Sequence, residues 1–186
     1  IMAPSTPHDY VGMMNAALAC DDPVLMIEHV ELYGEKGSIP AGDLDYIIPF
    51  GTAKTVRTGS EVTVLSYLSM VSKSVQAAEA TGVDAEVVDL RFLDQASVDW
   101  SAIEASLQKT NAVMIVEQGA RGTSYGGWLA DEIQRRFFDL LDQPVMRVSG
   151  QEASPSISKV LETAAIAGVD EIVHGLEQVR INSGGA

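Results

Sequence analysis

Cysteine occurs once in this 186-residue chain, at Cys20. A single thiol excludes an intrachain disulfide framework and a cysteine-built zinc site, so a reducing compartment, the cytoplasm by default, is expected. Basic residues are scarce as well, 12 against 26 acidic ones, for a net charge of −14. That balance argues against a nucleic-acid binder, which needs dense lysine and arginine to displace counterions from phosphate. A partner with a basic surface suits it better. No apolar run approaches the roughly 18–20 residues of a membrane span, and the start of the chain lacks the basic-then-apolar order of a signal peptide. The three histidines, His8, His29 and His174, lie too far apart in sequence to suggest a metal site. No G-x-S-x-G nucleophile elbow occurs. The opening IMAPSTP places Ile before the first Met, which is read as a trimmed or partial polypeptide.

What is present is a regular alternation. Thr6-Pro7-His8-Asp9 supplies an N-cap, a first-turn proline and an acid three residues after the cap, and Val11, Met14, Ala17 and Leu18 follow at helical spacing. Asp21-Asp22-Pro23 ends that helix, and VLMI (24–27) is expected to be a strand covered on both faces. Periodicity then dissolves from Glu28 to about Gly59, a stretch too long for an ordinary loop and therefore a candidate interdomain connection. Strands are expected at 61–68, 85–90, 112–117 and 144–150, with helices at 69–81, around 99–109, 128–141, 158–167 and 170–181. Short strands joined by helical returns predict parallel pairing with right-handed crossovers. The fold class is thus a three-layer α/β/α sandwich with a mainly parallel sheet. AKTVR (53–57), one Thr-Gly turn before EVTVLSYL, is expected to hairpin onto the edge as a single antiparallel strand. The final SGGA is expected to be disordered.

Each candidate site has a bland alternative. GARGTSYGG (119–127) lies between a strand and a helix, where backbone N–H groups can hold an anion. Its spacing matches neither the dinucleotide fingerprint nor the phosphate loop, so a tight turn is favoured, with Arg121 its one strong anion handle. Glu28-His29 ends a predicted strand, but neighbours on a strand point to opposite faces, and a structural role is favoured. His8 reads as a first-turn surface residue and His174 as a helix-face one. Cys20, beside Asp21 and Asp22, lacks the positive neighbours that activate a thiol. Glu117 reads as a polar contact at the carboxyl edge of the sheet. No complete catalytic set is legible, and no catalytic or cofactor-binding residue is assigned.

Taken together, MAPSTPHDYVGMMNAAL, ACDDPVLMIEHVELYG, IIPFGTAKTVRTGSEVTVLSY, AEVVDLRFLDQASVDW and PVMRVSG resemble the beta subunit of thiamine-diphosphate-dependent 2-oxo acid dehydrogenases, of the pyruvate and acetoin type. The resemblance spans residues 1 to about 180. VVDLR and the stretch from Asp99 to Thr110 are its most specific parts, and the ending LYG leans toward the pyruvate and acetoin members.

The resemblance implies residues 1–45 as a remnant of a pyrimidine-binding domain plus linker, residues 46–182 as a transketolase C-terminal-like domain, and residues 183–186 as a disordered tail. It implies an α2β2 assembly with an alpha subunit and a lipoyl-bearing acyltransferase core as partner, and no nucleic acid or membrane. Its setting is cytoplasmic, or the mitochondrial matrix in a eukaryote. Thiamine diphosphate and magnesium belong to the whole heterotetramer, with the family's activating glutamate and acyl-transfer histidine in motifs upstream of Ile1. The fragment by itself is therefore expected to be inactive. The resemblance also implies a potassium site at Ala17, Leu18, Cys20 and Asp22, although Cys20 stands where the family has an oxygen ligand. A second departure is Ser154-Pro155-Ser156-Ile157, in place of the family's P-x-P-[YF]-like stretch. The alternatives are an acetoin dehydrogenase beta subunit, another thiamine enzyme, or a stand-alone α/β scaffold domain.

Overall fold

A computed structural model of the chain describes residues 1–152 and 156–183. The expected departure at Ser154-Pro155 and the tail residues 184–186 lie outside the described residues.

The strands are β1 (Lys54–Arg57), β2 (Val62–Ser66), β3 (Ala85–Asp89), β4 (Val113–Ala120) and β5 (Met146–Gly150). The helices are α1 (Pro7–Leu18), α2 (Ser69–Thr81), α3 (Trp100–Thr110), α4 (Tyr125–Phe137), α5 (Lys159–Ala165) and α6 (Val169–Ser183). They build one sheet in the order β1-β3-β2-β4-β5, parallel except for β1 against β3. Because strand side chains alternate between faces, each apolar strand feeds two cores. Val62, Val64, Val87, Met114 and Val116 join α2 and α6 on one side. Leu65, Val88, Val113 and Ile115 join Ile103 and Leu107 of α3 and Leu129 and Ile133 of α4 on the other. This is the expected three-layer α/β/α sandwich. A smaller cluster of Met2, Met13, Ala16, Ile48 and Phe92 seats α1 beside it.

Three local expectations are corrected. β1 is the antiparallel edge strand, but it pairs with β3, not with its sequence neighbour β2. Between β1 and β2 the chain crosses the amino end of β3, where Ser60 N and Glu61 N both donate to Asp84 O at 2.9 Å. A Cβ on Gly59 would lie 2.4 Å from Asp84 O, so only glycine lets the chain pass there. VLMI forms no two-faced strand: Met26 bridges Met2, and Leu25 is 60% exposed. Finally, α4 starts three residues early, at Tyr125, and ends at Phe137 in a short 3-10 turn over Phe138–Leu140. Its two leading glycines are drawn into the helix by a buried glutamate described below.

The segment between α1 and β1 holds a single 3-10 turn, Val30–Gly34. It is tied to α1 by Asn15, whose side-chain amide donates to Leu44 O (2.6 Å) and Tyr46 O (2.9 Å). Ile48 N donates to Gly12 O at 3.0 Å, and the Tyr46 hydroxyl to His8 O at 2.7 Å.

Candidate functional site

In open parallel sheets the carboxyl edge is where ligands are usually received. Here that edge is rich in buried charge. The chain leaves β2 through Leu68 at φ +53° and β3 through Arg91 at φ +57°, both in the left-handed region that bulky residues seldom adopt.

Glu117, near the end of β4, is fully buried. Its carboxylate accepts from Ser124 Oγ (2.6 Å), Gly126 N (2.8 Å), Arg147 Nη2 (2.9 Å) and the Tyr67 hydroxyl (3.2 Å). Four donors, one of them cationic, offset the cost of burying the charge. The Gly126 N–H is one of the orphan donors in the first turn of α4, which explains the early helix start. A Cβ at Gly126 would stand 2.3 Å from Glu117 Oε1, so the glycine makes room for the carboxylate. Burial, and then the neighbouring Glu117 charge, push the Tyr67 hydroxyl well above the ordinary tyrosine range. The glycine-rich turn thus wraps the chain's own glutamate and is not an open anion cradle. Arg121 is exposed and contributes its backbone oxygen to Arg147 at 3.0 Å.

The second cluster joins α1 to the end of β3. Asp9 and Asp89 are both fully buried. The Arg91 guanidinium pairs with Asp9, while the Ser5 hydroxyl donates to Asp89 and lies 3.4 Å from Asp9 Oδ2. Arg91 N donates to Asp89 Oδ1 at 3.1 Å, and the Thr6 hydroxyl donates to Asp9 at 2.5 Å. Burial raises the Asp89 carboxyl to about 7, helped by Asp9, against the lowering effects of Ser5 and Arg91.

Glu28 and His29 do not meet: Glu28 accepts from the Tyr33 hydroxyl at 2.8 Å, and His29 is turned inward. His29 Nδ1 accepts from Glu31 N at 3.2 Å, so Nε2 carries the proton and donates to Gln118 Oε1 at 2.5 Å. His8 is more than the expected surface residue, for it stacks on Tyr46 with centroids 4.8 Å apart and sets Nδ1 3.7 Å from Asp9 Oδ1. His174 is exposed on α6 beside a cleft of about 700 Å³ that Arg121 and Arg147 also line. The surfaces flanking α1 and the 3-10 turn enclose a smaller cleft of about 300 Å³.

At the end of α1, Ala17 O accepts from Cys20 N at 3.2 Å, and Leu18 and Asp22 are exposed. The carbonyls of a helix C-terminus and an exposed carboxylate are oxygen donors of the kind a hard cation takes. The Cys20 sulfur is not, and it accepts from Asp22 N at 3.4 Å. Among the described residues no group of three or more His, Cys, Asp or Glu side chains is placed to hold a metal ion, and no helix is long and apolar enough to cross a membrane.

Sequence reasoning found Glu117 but missed Tyr67 and Arg147, and it read Asp9 as a capping acid without Asp89 and Arg91. The available signal was a charged residue inside an apolar strand, Arg147 in PVMRVSG, and an acid ending another, Asp89 in AEVVD.

A mainly parallel sheet between two helical layers, its carboxyl edge filled by buried ion pairs, defines the class of this α/β domain. Residues 51–172 match the family model described as "Transketolase, C-terminal domain", and the chain belongs to that family. It is 37% identical over 182 residues to the rice chloroplastic "Pyruvate dehydrogenase E1 component subunit beta-3", covering 96% of this chain and 46% of that protein. It is 34% identical over 186 residues to the mitochondrial "Pyruvate dehydrogenase E1 component subunit beta" of Caenorhabditis elegans, covering 96% of this chain and 52% of that one. The chain thus spans about half the length of the curated relatives it matches. In fold it resembles a solved "Split gene transketolase, inactive beta4 tetramer", with TM-score 0.71 and 20% identity over 96% of this chain and 56% of that one.

Proposed function

We propose that this chain acts as the C-terminal portion of the beta subunit of a thiamine-diphosphate-dependent 2-oxo acid dehydrogenase, with pyruvate as substrate. The observation that carries the reading is the 37% identity to a pyruvate dehydrogenase E1 beta subunit over 96% of this chain. The proposed division places a remnant of the pyrimidine-binding domain before about residue 45 and the assembly domain after it. In the enzyme the cofactor supplies the electron sink for decarboxylation. The residues present here do not fit that group. Glu117 is buried with four donors on its carboxylate, and both ring nitrogens of His29 are engaged, so neither is free to serve a cofactor ring. Thiamine diphosphate and magnesium are therefore proposed to be held by other parts of an assembled α2β2 enzyme.

The proposed role of this part is to join subunits and to present a surface to the lipoyl-bearing acyltransferase core, in a reducing compartment such as the cytoplasm or an organelle interior. Potassium at the end of α1 is proposed on the backbone oxygens of Ala17 and Leu18 and the Asp22 carboxylate, with Cys20 offering at most its backbone oxygen.

Reconstitution tests the reading. The polypeptide by itself is expected to show no thiamine-dependent decarboxylation of pyruvate, and the full-length beta subunit mixed with an alpha subunit is expected to show it. Replacing potassium by lithium in the same mixture is expected to lower its thermal midpoint. Turnover by the isolated 186 residues, or an inert reconstituted mixture, refutes the assignment; an unchanged midpoint refutes the ion site.

A further inference from the structure

The cluster between α1 and the end of β3 holds two buried carboxylates and one cation. Arg91 gives its guanidinium to Asp9, and its Nε is buried without a partner. Among the described residues the donors to Asp89 are neutral, the Ser5 hydroxyl and the Arg91 N–H. With both acids ionised, two fully buried carboxylates would share one guanidinium and the set of Asp9, Asp89 and Arg91 would be net negative, an arrangement proteins avoid by keeping a proton. The hydroxyl count points the same way. Ser5 has one proton to give and lies between two carboxylates. The set is satisfied when Asp89 Oδ2 carries a proton and donates it to Ser5 Oγ, which then turns its own proton to Asp9 Oδ2.

We propose that this cluster is a proton-operated latch: Asp89 is held as a neutral acid in the closed state, and loss of that proton to solvent loosens the hold of residues 1–18 on the carboxyl edge of the sheet. The inference is independent of the proposed function. The groups facing Asp89 are few. From α1 come Asp9 and, behind it, His8 with Nδ1 3.7 Å from Asp9, stacked on Tyr46. From beyond β3 comes Arg91. Ser66 of β2 and Lys54 of β1 are its register partners on the two neighbouring strands. Ser66 Oγ is buried, unpartnered and neutral, and Lys54, a cation, is paired with Asp89 by backbone register and not by a salt bridge.

The sign follows from linkage. The closed-state value of about 7 is raised above the ordinary aspartate value, so the closed state holds the extra proton. Closure is then fully favoured below the ordinary carboxylate range and is lost as pH rises to about 7, beyond which both states are ionised and nothing further changes.

The test is amide hydrogen exchange of residues 2–18 in the purified full-length protein from pH 5 to 8, corrected for intrinsic rates and referenced to β4. The opening constant is expected to rise by up to about tenfold per pH unit until about pH 7 and then level off. Asp89→Asn has the same shape and cannot ionise, so its profile is expected to be flat and as closed as that of the wild type at low pH. Infrared difference spectroscopy at pH 6 is expected to show a protonated carboxyl band in the wild type that Asp89→Asn removes and Ser5→Ala shifts. A flat wild-type profile, the absence of that band, or a slope that survives in Asp89→Asn overturns the latch; the last outcome would move the proton to His8 or Asp9.

Discussion

At the residue scale, the molecule is held by charges that it buries. Among the described residues Arg147 is the only cation on the Glu117 carboxylate, and it also donates to Ser124 Oγ at 3.1 Å. Removing one partner of such a pair leaves the other charge buried and uncompensated, which costs about 3 kcal/mol. Arg147→Met is therefore expected to lower unfolding stability in urea by about that amount. Adding Glu117→Gln is expected to recover most of the loss, because an amide can keep the bond to Gly126 N without a stranded charge. A double variant no more stable than the single one would show that Arg147 acts through packing. The carboxylate was legible from sequence because it sits at the tip of an apolar strand. Its cation was not, since nothing in PVMRVSG says which acid, 30 residues away, will face Arg147.

At the element scale, α1, α3 and α4 start where a side chain, that of Thr6, Asp99 and Glu117 respectively, takes up one of their first N–H groups. Asp99 accepts from Ala102 N (3.0 Å) and Ser101 Oγ (2.7 Å) at the start of α3, and its other oxygen accepts from Ala53 N (3.0 Å), one residue before β1. One carboxylate thus caps a helix and fastens the edge-strand segment. Burial alone would push its carboxyl up, but the bonds from Ser101, Ala102 N and Ala53 N outweigh this and hold it below the ordinary range. The stability it contributes is present above the ordinary aspartate value and is lost as pH falls through its lowered one. Asp99→Ala is expected to cost about 1–2 kcal/mol near neutral pH, with the deficit closing in acid, as read by urea titration at several pH values. A deficit independent of pH would exclude the charge. The stretch from Asp99 to Thr110 carries further ties of this kind. Ser106, Thr110 and Thr63 form a buried hydroxyl cluster at 2.6 and 2.7 Å, and Lys109 pairs with Glu86. Helix periods and the Thr6 cap were legible; the early start of α4 was not, because it depends on a glutamate in the preceding strand.

At the scale of the whole molecule, charge and shape bear on partners. A net charge of −14 raises the encounter rate with a basic surface and makes it depend on ionic strength. Under the proposed function, docking of the full-length protein to the proposed acyltransferase partner is expected to slow markedly between about 50 and 300 mM salt, chiefly in the association rate. Surface plasmon resonance at a series of salt concentrations checks it, and an association rate indifferent to salt would leave acidity as a matter of solubility only.

The sequence by itself determined the layers: the alternation of two-faced strands with amphipathic helices permits little besides a mainly parallel sheet between two helical faces, because side-chain period is a local property of the backbone. The tertiary structure decided the partners: β1 beside β3, Met2 bridging Met26 and Phe92, Glu117 on Arg147, and Asp9 on Arg91. Those pairings join residues far apart in the chain, and their energies depend on burial, which exists only once the sheet has closed over them.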